Sequence, residues 1–94
     1  MALTSITPAP TTAERFETIL AQAADAAQSW STSSPQERIT ALESVADHLD
    51  RCGDELIEIA HDETHLPHAR LRGELKRTTF QLRLFTEVIA DGSY

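Results

Sequence analysis

The residues most suggestive of chemistry lie together at His61-Asp62-Glu63-Thr64-His65, with His68 three places further on. Two histidines four apart on a helix can share a zinc ion, and a glutamate directly after the first can serve as base. Here Asp62 follows His61, and Glu63 falls two places on, round a different face. Pro67 disfavours helical geometry at Leu66, so a helix carrying the pair must stop near His65 and cannot hold both rings rigidly. Histidines close to a helix C-terminus are favoured by its dipole in any case. A solvated helix end is the expectation, with zinc held by His61, His65 and His68 as the weaker alternative.

Cys52 is the only cysteine and could be imagined as a nucleophile. A reactive thiolate needs a helix N-terminus or nearby cations. Cys52 instead lies at an expected helix C-terminus, flanked by Asp50 and Asp54. Glu43, Asp47, Asp50, Glu55 and Glu58 follow solvated faces, and no pair sits in apolar surroundings that would drive two pKa values apart. Gly53, Gly73 and Gly92 are isolated, so no glycine-rich phosphate loop is present. No catalytic, cofactor-binding or metal-binding residue is assigned.

The elements that would position such residues are helices. Thr11 and Glu14 have the spacing of a capping box, and Phe16, Ile19, Leu20, Ala23, Ala27 and Trp30 recur on one face up to the Ser31–Ser34 run. Ser34, Pro35 and Glu37 then give a second helix its start, with a stripe of Ile39, Leu42, Val45, Ala46 and Leu49. Gly53 is expected to close it in a left-handed conformation, and Asp54 to cap a short third helix carrying Leu56, Ile57, Ile59 and Ala60. The fourth helix has two apolar faces, Leu71, Leu75, Leu82, Phe85 and Ile89 on one and Gly73, Phe80, Leu84 and Val88 on the other. Such a helix usually lies between two layers. Three short helices can cover one side; the other calls for a partner.

The fold class is thus all-α, with helices over roughly 12–30, 35–52, 54–64 and 67–90, after a Thr/Pro-rich lead-in over 1–10 expected to be flexible. With 94 residues the chain is at most one small domain, and 13 of its hydrophobic residues are alanine, so the expected core is thin. A net charge of −7 argues against nucleic acid and anionic membranes. Residues 1–64 hold 12 acids and 3 bases, whereas 65–94 hold 3 acids and 5 bases. Arg70, Arg72, Lys76, Arg77 and Arg83 read as a solvated face paired with acidic neighbours. A lone cysteine, no apolar run near the roughly 18 residues of a membrane span and no basic-then-apolar N-terminus suggest a cytoplasmic protein.

Several stretches carry a family resemblance. Ala23-Ala24 through Trp30, Ser34-Pro35-x-Glu37-Arg38, and Leu42-x-x-x-Ala46-Asp47-x-Leu49 resemble the opening of an aldehyde dehydrogenase. The likeness continues through Asp54-Glu55-Leu56-Ile57-x-x-Ala60, Glu63-Thr64-x-Leu66-Pro67 and Ala69-Arg70-Leu71-x-Gly73-Glu74-x-x-Arg77-Thr78. Gln81-Leu82-Arg83-Leu84-Phe85 and Asp91-Gly92-Ser93-Tyr94 resemble the α-ketoglutarate semialdehyde (2,5-dioxovalerate) dehydrogenase branch. The match runs over about residues 13–94. One departure is His65, where the family usually has a glycine able to supply a left-handed helix cap.

The resemblance implies the N-terminal helical part of an α/β enzyme that oxidises aldehydes to acids with NAD or NADP. In that family a cysteine thiolate attacks the carbonyl, hydride leaves to the nicotinamide, and a glutamate activates water. Its catalytic Cys and Glu, oxyanion Asn and nucleotide fold match nothing here, so no functional residue carries over and Cys52 is not the nucleophile. The implied role is scaffold, with the rest of an aldehyde dehydrogenase chain or another protein covering the open face of helix 67–90, and homo-oligomers expected only of the full-length family. A free-standing helical interaction module without enzymatic activity is the alternative.

Overall fold

Hydroxyl side chains open the first two of four helices. In the computed structural model, which describes residues 7–94, these are α1 (Ala13–Ser31), α2 (Pro35–Arg51), α3 (Gly53–Thr64) and α4 (His68–Asp91). Each span agrees with expectation to within a residue or so, and no strand occurs among the described residues. Of the expected lead-in, residues 1–6 lie outside the described part; 7–10 are exposed and without regular structure.

The cap of α1 is Thr12 rather than Thr11. Its side-chain oxygen accepts from the Arg15 N–H at 3.1 Å, which puts Glu14 one place too early for the expected box. The box of α2 forms as read. Ser34 Oγ accepts from the Glu37 N–H at 3.1 Å, and Glu37 Oε2 accepts from the Ser34 N–H at 3.0 Å.

Between α2 and α3 the expectation fails. Gly53 is not left-handed but the first residue of α3, and Asp54 is not the cap. Cys52 alone closes α2 and opens α3, without a side-chain cap. Gly53 is needed for a different reason: a Cβ there would stand 2.7 Å from Leu75 Cδ2, so its small size lets α4 approach. The left-handed positions are His65 (φ 60°), ending α3, and Gly92 (φ 69°), ending α4. Their N–H groups return to the carbonyls of His61 at 2.8 Å and Val88 at 3.2 Å. The geometry implied by the family's glycine is therefore adopted with histidine in place.

α2 and α4 run antiparallel. From Asp47 to Gly53 along α2 and into α3, the partners on α4 retreat from Arg83 to Leu75. α3 lies along the first half of α4, and Ala46, Gly53, Ile57, Thr79 and Thr86 are the buried residues. Ile39, Leu42, Leu49, Leu56, Ile59, Leu71, Leu75, Leu82 and Ile89 are half-buried around them. The core is as thin as composition implied, since no large side chain among the described residues is fully enclosed.

Thr79 and Thr86 enter that core because their hydroxyls donate back to the carbonyls of Lys76 (3.4 Å) and Arg83 (2.6 Å), leaving only methyl groups to pack. They displace one expected core residue. The packed line steps from Leu82 to Thr86 and on to Ile89, which turns Phe85 outward to 56% exposure. Likewise Ala46 takes the contact position on α2 and leaves Val45 half exposed.

The largest departure is α1. It packs against none of the other three helices, and its whole apolar stripe is exposed. Only α2 and α3 cover α4. The Cα radius of gyration is 16.8 Å, against about 12 Å for a compact chain of this length.

Candidate functional site

The corner between α3 and α4 gathers two of the three flagged histidines. His61, in the last turn of α3, has Nδ1 2.7 Å from the Leu66 carbonyl. A carbonyl only accepts, so Nδ1 carries a proton and donates it. His68, in the first turn of α4, places Nε2 2.9 Å from Glu58 Oε1. The rings stack with centroids 4.0 Å apart and planes 28° from parallel. His65 does not join them, being exposed in the left-handed turn. Among the described residues no three His, Cys, Asp or Glu side chains converge as a ligand set. What the corner does in this structure is fasten α3 to α4.

Cys52 is half-buried at the α2–α3 joint, with Sγ 3.8 Å from the Leu49 carbonyl. It stands at a helix N-terminus as well as a C-terminus, which sequence reasoning had not assigned it. The flagged carboxylates divide between the helices. Asp47 and Asp50 of α2 accept from Arg83 of α4 at 3.0 and 2.7 Å, and Asp54 accepts from Arg72 at 3.4 Å. The bond to Asp50 first, and that to Asp47 second, raise the Arg83 guanidinium above its ordinary range. The basic C-terminal third thus pairs with acids across helices at Arg72 and Arg83.

Beside this clasp an open groove of about 290 Å³ is lined by Asp50, Asp54, Ile57, Arg72, Leu75 and Lys76 among others. With Arg51 it holds three bases and two acids, and Asp50 and Asp54 already accept from Arg83 and Arg72. The glycines give no dinucleotide cradle. Such a cradle needs a glycine-rich turn from strand into helix. Gly53 is used for helix contact, Gly73 lies within α4 with open space beside it, and Gly92 ends α4. The described residues do not fit a nicotinamide dinucleotide.

What the structure does present is two uncovered apolar faces. On α4, Phe80 (65% exposed), Leu84 and Val88 stand open as the second face, with Phe85 beside them. On α1, Phe16, Ile19, Leu20 and Trp30 (51% exposed) form the other. Isolated exposed hydrophobics are ordinary; contiguous ones are candidate interaction surfaces.

Among the described residues, then, four helices leave two apolar faces uncovered. The profile of the aldehyde dehydrogenase family matches residues 4–93, and this chain belongs to that family. It is 54% identical over 57 residues to alpha-ketoglutaric semialdehyde dehydrogenase 2 of Azospirillum brasilense, covering 61% of this chain and 11% of that protein. It is also 42% identical over 59 residues to alpha-ketoglutaric semialdehyde dehydrogenase of Acinetobacter baylyi, covering 63% of this chain and 11% of that one. The matched stretches thus span about a tenth of the length of these relatives. No solved structure gives a significant match. The four helices are consistent with the all-α N-terminal part of the aldehyde dehydrogenase fold.

Proposed function

We propose that this chain is the N-terminal scaffold of an NAD(P)-dependent aldehyde dehydrogenase acting on α-ketoglutarate semialdehyde, and that it supplies no catalytic residue itself. The observation that carries this reading is the pair of uncovered faces on α1 and α4 in a family member spanning about a tenth of its relatives. The proposed occupant of those faces is the remainder of an aldehyde dehydrogenase polypeptide, on which the nucleotide site and the reacting cysteine would reside. The substrate and the cofactor are proposed from the names of the two relatives and from the family's chemistry. The cytoplasm is the proposed compartment. No helix of the described residues is long and apolar enough to cross a membrane, and the single cysteine is free.

The test is complementation. The chain is co-expressed with the Azospirillum relative from which the matching segment has been removed, and aldehyde-dependent reduction of NAD and NADP is followed. The chain alone should give none, the truncated relative little, and the two together a soluble, active assembly. Turnover by the pure chain would contradict the scaffold reading. The alternative, a free-standing helical interaction module, would be favoured if the chain melts sharply as a monomer and does nothing for the truncated enzyme.

A further inference from the structure

The joint between α1 and α2 is closed largely by side-chain hydrogen bonds, most of them to the backbone. Four hydroxyls close the last turn of α1: those of Ser29, Ser31, Thr32 and Ser33 donate to the carbonyls of Ala26, Gln28, Ser29 and Trp30 at 3.1, 2.7, 3.0 and 2.6 Å. A helix end leaves its final carbonyls without intrahelical partners; here those of Gln28 and Ser29 take hydroxyls, and that of Trp30 takes both the N–H and the hydroxyl of Ser33. One residue later Ser34 opens α2 with its capping box.

Arg38 spans the joint. From the first turns of α2 its Nε donates to Ser33 Oγ at 3.0 Å, and its Nη2 donates to the Ser31 carbonyl at 3.4 Å. Ser33 Oγ has already given its own proton to Trp30, so it is free to accept. The guanidinium also brings a positive charge to the C-terminus of α1, whose last turn contains no basic residue. A cation there is stabilised by the helix dipole. The contacts therefore hold α1 at one angle to α2, and at that angle α1 touches neither α3 nor α4.

We propose that the Ser31–Arg38 joint is a latched elbow, with Arg38 as the positioning residue, that holds α1 off the helical body with its Phe16–Trp30 stripe outward. What the arm finally covers rests on the scaffold reading above; the elbow itself does not. An amphipathic helix on an unlatched three-residue joint would bury its stripe on the nearest apolar surface, and the open face of α4 belongs to the same chain. The latch keeps the two faces apart and available to a larger partner.

The experiment uses the whole chain with Cys52→Ser and spin labels on cysteines placed at Gln22 and Glu43, both exposed. Labelled chain is diluted into unlabelled chain, so that only distances within one molecule are read. The parent should give one narrow distance population, and scattering should give a radius of gyration near the 16.8 Å of the structure. Arg38→Gln should broaden or shorten the distances and draw the radius toward the roughly 12 Å of a compact chain. Ser33→Ala, which removes the Nε acceptor but leaves the capping box intact, should move the same way to a lesser degree. Helicity by circular dichroism separates unlatching from unfolding. A parent that is already broad or compact overturns the proposal, as does a helical Arg38→Gln or Ser33→Ala chain with unchanged distances.

Discussion

His65 occupies a left-handed position that costs an L residue about 1–2 kcal/mol, somewhat less for histidine. Glycine removes that strain but adds freedom to the unfolded chain. His65→Gly should therefore stabilise by about 0.5–1 kcal/mol in urea denaturation, with the α3–α4 corner unchanged. A loss of stability would mean that His65 makes a contact worth more than its strain. Gly53 should respond in the opposite direction. With Leu75 Cδ2 already 2.7 Å from where a Cβ would lie, Gly53→Val must displace the Leu75 side chain or α4 itself. About 1–3 kcal/mol of destabilisation is expected, and an unchanged midpoint would show that Leu75 simply rotates aside. These two residues also show how far sequence reached. At position 65 the helix end was legible from Pro67, whereas the left-handed cap was implied only by the glycine the family usually has there. It was misplaced at Gly53, because a glycine kept for close approach of a distant helix looks in sequence like one kept for its backbone freedom.

Helices pair through charge as well as burial. Arg83 joins α4 to two turns of α2, and its raised pKa fixes the sign of any pH effect. A base whose folded pKa exceeds its unfolded one contributes fully below the unfolded value, and the contribution disappears only as pH rises through the folded value. For arginine that window is strongly alkaline, so the Arg83 charge is constant across the neutral range. Arg83→Met should instead weaken the dependence of the melting temperature on salt, because exposed pairs are screened. Equal salt dependence in parent and variant would remove the clasp from the stability argument. Ser34→Ala, which removes the hydroxyl that accepts from the Glu37 N–H while leaving the residue-34 N–H able to donate to Glu37, should cost about 1 kcal/mol.

Helix spans were readable at this scale because the apolar period and the caps are local signals. Two features were not. Thr79 and Thr86 are polar in sequence and become core residues only through bonds to their own helix backbone. The Ser31–Ser34 run was read as a stop, yet its hydroxyls, together with Arg38 on the next helix, set an angle. That bridge joins residues whose partnership depends on the geometry of the turn between them.

At the scale of the molecule, the structural uses of the flagged residues and the uncovered faces point the same way. His61, His68, Asp47, Asp50 and Asp54 all hold helix to helix or corner to helix, and Cys52 sits at a joint. The faces of α1 and α4 have no such internal use. The sequence showed the second face of α4 by its period, since Phe80, Leu84 and Val88 fall away from the Leu71–Leu75 line. It could not show that α1 leaves the bundle. An amphipathic stripe specifies that something will cover it, not whether the cover lies in the same body.

The most direct measurement replaces the matching segment of the Azospirillum relative with this chain and introduces Phe80→Asp into both the chimera and the isolated chain. In the isolated chain Phe80 is 65% exposed, so the aspartate should leave the melting temperature nearly unchanged and improve solubility. In the chimera the same side chain should be covered, and a buried unpaired carboxylate should abolish soluble, active enzyme. A chimera that oxidises its aldehyde equally well with Phe80 or aspartate would contradict the claim that the outer face of α4 is built to be covered by the rest of an aldehyde dehydrogenase.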